Sequence, residues 1–190
     1  MSAGQVIGVV GPSGAGKDSV MAGIVARDPA WRVARRVITR APGLGGEDYE
    51  AVDQAAFARL VAADAFCLHW TAHGLSYGIP DQLRARAQAG ETLLVNLSRG
   101  VLDRAQAVFA GFAVLRLSAR PETLAARLAG RGRETHEEIR ARLAQPDAPM
   151  PSGLTVMDIT NDGPLEDTVR AALLALRGLA ANAKKADGVS

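Results

Sequence analysis

The stretch Gly11-Pro12-Ser13-Gly14-Ala15-Gly16-Lys17 constrains the fold more than any other feature. It lies between the apolar run Val6-Ile7-Gly8-Val9-Val10 and a segment from Lys17 to Arg27 with helical periodicity. A Gly-x-x-x-x-Gly-Lys spacing after a strand and before a helix is the context of a phosphate-binding loop. Its glycines let backbone N–H groups converge on a phosphate, the helix start adds its positive dipole end, and the lysine supplies a mobile point charge. An ordinary glycine turn would not require the spacing, the lysine and the flanking elements to agree. Lys17 is one of three lysines in a chain with nineteen arginines, and the other two are Lys184 and Lys185. A narrow loop favours a slim ammonium over a planar guanidinium.

Periodicity and punctuation predict strands near 5–10, 33–38, 66–70, 92–96, 112–117 and 154–159. Helices are expected over 17–27, 53–63, 80–89, 100–109, 121–129, 135–144 and 165–180. Leu93-Leu94-Val95 and Ala113-Val114-Leu115 are apolar on consecutive residues, which suits a parallel sheet covered on both faces. Two stretches interrupt the alternation. Residues 40–48 are glycine-rich and suit a substrate loop, whereas residues 145–153 read as a connector.

The 190 residues, 48% hydrophobic, suffice for one domain over 1–180, followed by a flexible tail over 181–190. Twenty-two basic residues oppose twenty acidic ones without any block of like charge, which argues against nucleic acid or a membrane surface as partner. Cys67 is the only cysteine, so an internal disulfide is impossible and a reducing compartment is expected. No apolar run approaches the ~20 residues of a membrane span, and Met1 leads straight into a glycine-interrupted strand. The expected setting is cytoplasmic. The oligomeric state is not legible.

Beyond the loop, nearly the whole chain resembles the guanylate-kinase-like branch of nucleoside monophosphate kinases. The matching pieces are GPSGAGK at 11–17, ITR at 38–40, EDY at 47–49, YG at 77–78, RLAGRGRE at 127–134 and RARL at 140–143. The resemblance implies an α/β P-loop kinase with a central parallel sheet flanked by helices. It also implies an acceptor-binding insertion at about 33–80 and a helical lid at about 127–145. In that family the arginine of the TR pair and tyrosines hold the acceptor's phosphate, and lid arginines close over ATP. Carried over, these roles fall to Arg40, Tyr49 and Tyr77, and to Arg131 and Arg142. The departures are as informative. Guanylate kinases carry a second acceptor arginine where Gly43 stands, and they read guanine with a glutamate and a serine or threonine where Leu68 and Ile79 stand. Losing the acceptor of a buried reading site leaves the base unpaired, at roughly 1–3 kcal/mol per group.

A related family, the ribose 1,5-bisphosphate phosphokinases, is similar throughout. The shared features are GKDS at 16–19, ITR, the segment HWTAHGLSYG at 69–78, VNLSR at 95–99, RGRE at 131–134 and NDG at 161–163. This resemblance implies transfer of the γ-phosphate of ATP, with Mg2+, to a small-molecule sugar bisphosphate, giving 5-phosphoribosyl 1-diphosphate for phosphonate use and nucleotide precursor supply. A nucleoside monophosphate kinase with a changed base pocket is the alternative. A third reading, a non-catalytic interaction module, is opposed by the intact Gly11, Gly14, Gly16 and Lys17.

The remaining candidates each have two readings. Arg131 and Arg133 serve either as lid cations or as a solvated helix end, and Arg142 serves either as a lid cation or as a surface ion-pair partner of Glu137 or Glu138. His69 and His73 either donate to a phosphate or hydroxyl of the acceptor or complete the core beside Trp70. They lack a third ligand for a metal. Asn96, Ser98 and Arg99 follow a strand's carboxyl end, where open α/β sheets bind ligands, or else Ser98 merely caps the next helix. Asn161 either contacts adenine or belongs to a turn. Asp18 stands where such loops usually carry a hydroxyl. It either binds Mg2+, directly or through water, or only stabilises the helix start, with Ser19 able to supply the hydroxyl.

Overall fold

The computed structural model describes residues 4–43, 46–130 and 149–187, with side chains described through residue 181. Strand β1 (Val6–Val10) is completely buried. Its alternate residues point to opposite faces, as the two-residue period of a strand requires. Val6 and Val10 enter one core with Leu93, Val95 and Val114. Ile7 and Val9 enter a second core with Leu94, Ala113, Leu115 and Leu117. The consecutive apolar residues noted in the sequence are therefore explained by central strands covered on both faces.

Five parallel strands form this sheet in the order β2 (Trp31–Val33), β7 (Thr92–Asn96), β1, β8 (Phe112–Ser118), β9 (Val156–Thr160). The chain first extends to the β2 side of β1 and later to the β9 side, so the order switches direction at β1, where ligands of open α/β sheets bind. Helices α1 (Lys17–Arg27) and α6 (Leu165–Asp187) cover the second core. They approach closely at Gly23, where an added Cβ would lie 2.5 Å from Val169 Cγ2. The helix α6 continues into the expected tail, because Ala183, Lys184, Lys185 and Ala186 are strong helix formers that need no apolar face. No helix among the described residues is long and apolar enough to cross a membrane.

A second sheet covers the other core, with strands ordered β4 (Tyr49–Ala51), β3 (Arg36–Ile38), β6 (Leu75–Pro80), β5 (Phe66–Ala72). The expected single strand over 33–38 is divided between the two sheets. Ala34, buried and bonded through its N–H to Leu94 O at 2.8 Å, ends the pairing with β7, and the chain then turns to lay Arg36–Ile38 beside β6. Strands β4 and β6 escape the sequence pattern because one has three residues and the other, Leu-Ser-Tyr-Gly-Ile-Pro, contains both a glycine and a proline. Strands β5 and β6 form a hairpin whose turn, His73-Gly74, has positive φ at both residues (51° and 72°). Helix α2 (Gln54–Ala62) sets Phe57 against Phe66 at a ring separation of 5.0 Å. Helices α3 (Gln82–Gln88) and α4 (Leu102–Val108) bury Leu83, Leu102 and Ala105 in the core between the sheets, and α5 (Pro121–Ala129) buries Leu124 in the other.

The loop at 11–16 is braced from β9. Asn161, 3% exposed, donates from Nδ2 to Ala15 O at 2.9 Å and accepts from Thr168 Oγ1 at 2.8 Å, and its N–H donates to Ser118 O at 2.7 Å. Replacing Asn161 with Ala strands the buried hydroxyl of Thr168 and removes a donor from the Ala15 carbonyl. A loss of about 1–3 kcal/mol in urea unfolding is expected, and a loss below a few tenths would show that the brace carries no load.

Candidate active site

The phosphate loop leaves the carboxyl end of β1 and re-enters at α1. Gly14 and Gly16 take left-handed φ values of 86° and 83°. At Gly16 a Cβ would stand 2.5 Å from Asn161 Nδ2, so both the backbone conformation and the space demand glycine there. Ala15 is buried, while Gly11, Pro12 and Ser13 line the partly exposed rim. Lys17 Nζ donates to Gly11 O at 2.8 Å and to Pro12 O at 3.3 Å, so the ammonium lies over the loop it serves. Arg127 of α5 reaches the same loop, with Nη1 3.4 Å from Gly14 O. Arg127 was legible only as a helix neighbour of Arg131. Its placement follows from α5 docking Leu124 and Leu128 beneath Gly14.

Asp18 and Ser19 diverge. Ser19 is exposed on α1, whereas Asp18 Oδ1 accepts from Asn96 Nδ2 at 3.1 Å. A divalent cation is compatible with this arrangement. The Asp18 carboxylate is a hard oxygen donor, orientated by Asn96 beside the loop. Among the described residues no group of three or more His, Cys, Asp or Glu side chains forms a metal cage, and Mg2+ commonly takes most of its ligands from phosphates and water.

The acceptor candidates converge in part. Arg40 lies over the ring of Tyr49 at 5.6 Å, and the Tyr49 hydroxyl donates to Ala41 O at 2.5 Å. Tyr77 stacks on Trp70 with centroids 5.2 Å apart and planes 9° from parallel. Arg36 stands over this pair, 5.0 Å from the Tyr77 centroid and 6.0 Å from that of Trp70. Arg36 is 6% exposed and forks onto Glu47, with Nε 2.6 Å from Oε1, while Nη1 donates to Asn96 O at 3.1 Å. Breaking a buried pair of this kind by removing one partner costs about 3–5 kcal/mol. The sequence reading missed the pair. Its only signal was the glutamate of EDY, because nothing local joins residues 36 and 47.

The other candidates are placed as follows. Leu68 and Trp70 point into the core, so strand alternation turns the His69 side chain to the opposite face, and its carbonyl accepts from Arg104 Nη1 at 2.9 Å. His73 is exposed at the hairpin tip, at the end of the second sheet that carries Arg40. Ser98 occupies the cap of the turn Arg99–Val101, but its hydroxyl makes no capping bond. Arg99 is near enough to help lower the Asp158 carboxyl, whose pKa is depressed mainly by hydrogen bonding to Arg116. Asn161 has its amide committed to the loop and to Thr168. Arg131, Arg133 and Arg142 lie outside the described residues. Burial, helped by the Asp81 charge, pushes the Cys67 thiol up to about 11, which makes it a poor nucleophile at neutral pH. Leu68 and Ile79 face each other across β5 and β6, 1% and 0% exposed. The two guanine-reading positions are therefore apolar core.

No model of a known protein family matches the chain. Among curated proteins, a ribose 1,5-bisphosphate phosphokinase of Ruegeria sp. is 54% identical over 167 residues, which is 87% of this chain and 88% of that protein. The enzyme of the same name from Rhizobium etli is 41% identical over 182 residues, 94% of this chain and 92% of that one. Among solved structures, guanylate kinase from Anaplasma phagocytophilum superposes with a TM-score of 0.68 at 20% identity, covering 93% of this chain and 86% of the other. That likeness is one of fold: a guanylate-kinase-like P-loop architecture.

Proposed function

From the chain's membership of the ribose 1,5-bisphosphate phosphokinase family, we propose that it transfers the γ-phosphate of ATP to ribose 1,5-bisphosphate, giving 5-phosphoribosyl 1-diphosphate and ADP. An oxygen of the 1-phosphate forms the new bond to the γ-phosphorus as the bond to the β,γ-bridging oxygen breaks, and ADP carries away the electron pair. The observation that carries the acceptor assignment is the buried Leu68–Ile79 pair, which offers no hydrogen bond to a base. Arg40 over Tyr49 supplies a cation for an acceptor phosphate instead.

A phosphate with a second pKa near ~6 is largely ionised at neutral pH, so this acceptor needs no general base. The rate then depends on alignment and on charge neutralisation around a loose transition state. Backbone N–H groups of Gly11–Gly16 orient the donor phosphates, and Lys17 stays at the loop rim with its charge available to them. Arg127 adds a second cation beside Gly14, and the lid arginines Arg131, Arg133 and Arg142 belong to the same role. Asp18, steadied by Asn96, is the residue that would hold Mg2+, directly or through water. When bound, the ion neutralises charge on the donor phosphates. Tyr77, His69, His73, Asn96, Ser98 and Arg99 are the remaining acceptor candidates, and a role in phosphonate use and nucleotide precursor supply is what the family resemblance implies.

Phosphorus NMR of the native chain with ATP, Mg2+ and ribose 1,5-bisphosphate is expected to show a diphosphate appearing at C1 as the 1-phosphate signal disappears. ATP consumption without that signal would refute the assignment. Asp18→Ser is expected to raise the Mg2+ concentration for half-maximal rate several-fold. An unchanged requirement and rate would leave Asp18 only its stabilising effect on the start of α1.

A further inference from the structure

The guanidinium of Arg36 holds more than a residue at the start of β3 requires. Two of its nitrogens meet the two carboxylate oxygens of Glu47, a third donates to Asn96 O at 3.1 Å, and its plane is backed by Tyr77 and Trp70. These contacts lead in two directions. Glu47 lies in the glycine-rich stretch that begins with Arg40. Asn96 ends β7, and its side-chain amide donates to Asp18 at the head of α1 at 3.1 Å. Glu47 and Asp18 also line one cleft of about 290 Å³ between helix α1 and residues 46–48. The fork and the stack fix a single orientation of the guanidinium, because a planar cation cannot turn without losing the carboxylate, the carbonyl or the ring faces.

We propose that Arg36 is a positioning residue that couples the sugar-phosphate site to the nucleotide site, through Glu47 on one side and through Asn96 and Asp18 on the other. The inference rests on the kinase reading above. An acceptor phosphate on Arg40 steadies Tyr49, two residues from Glu47 and paired across the strands with Arg36, and Glu47 holds Arg36 in its fork. Arg36 holds the Asn96 carbonyl, and the Asn96 amide keeps the Asp18 carboxylate at the phosphate loop. By linkage the effect is reciprocal: each ligand tightens the other by the same factor.

Calorimetric binding of ribose 1,5-bisphosphate, with and without a non-hydrolysable ATP analogue and Mg2+, measures that factor. In the native chain the nucleotide is expected to tighten acceptor binding by at least ~5-fold. The double variant Arg36→Met with Glu47→Leu replaces the buried pair with apolar side chains of similar size, an exchange often neutral for stability. It is expected to keep the native melting temperature and to bind each ligand alone, while the coupling factor falls to within about twofold of unity. A merely structural role would change the melting temperature and leave the coupling intact. Native-like coupling in the double variant, or none in the native chain, overturns the proposal. If the double variant does not fold, Glu47→Gln is read in the same way: weakened coupling supports the relay and unchanged coupling refutes it. A native chain that binds no ribose 1,5-bisphosphate under either condition refutes the kinase reading itself, which is a distinguishable result.

Discussion

Everything in this molecule is arranged around a central strand that is buried on both faces. Because Val6 and Val10 serve one core and Ile7 and Val9 the other, β1 has no freedom to shift register, and the loop at its carboxyl end emerges at a fixed point. Asn96 from β7 and Asn161 following β9 reach that point from either side, one holding Asp18 and the other holding Ala15. A loop that must present several backbone N–H groups to a phosphate gains its precision from these neighbours as well as from its own glycines.

The second sheet does for the acceptor what the first does for the donor. Its inner face carries Arg36, Tyr77 and Trp70 in one stack, with Leu68 and Ile79 beside them in the core. In the proposed reading a purine meets apolar side chains at Leu68 and Ile79, whereas a sugar phosphate needs mainly cations, and Arg40, just past the end of β3, is the cation proposed for it. The guanylate-kinase-like architecture is shared with a structure only 20% identical in sequence, and a common fold does not by itself fix the acceptor.

The donor side was largely legible in the sequence, because the spacing of Gly11, Gly16 and Lys17 is a local pattern with a local structural consequence. The acceptor side was only partly so. The strands Tyr49–Ala51 and Leu75–Pro80 exist because partners far along the chain hold them, and a short run containing glycine and proline does not announce such pairing. The Arg36–Glu47 pair was illegible for the same reason: the two are far apart in sequence, and the pairing of β3 with β4, which sets Arg36 beside Tyr49, brings them together. His69 shows the converse limit, since its motif suggested the site but strand alternation turns it away from Trp70. Asn161 stood out as an adenine contact or a turn residue, and the structure instead commits its amide to the loop and to Thr168.

The central claim is that the acceptor surface selects a sugar phosphate over a nucleotide, and the ratio of kcat/KM for ribose 1,5-bisphosphate and GMP tests it most directly. With ATP and Mg2+ held constant, two base-reading groups left unpaired by the apolar side chains of Leu68 and Ile79, at roughly 1–3 kcal/mol each, predict a preference of at least ~30-fold for the sugar bisphosphate. A ratio near one, or a preference for GMP, would contradict the account.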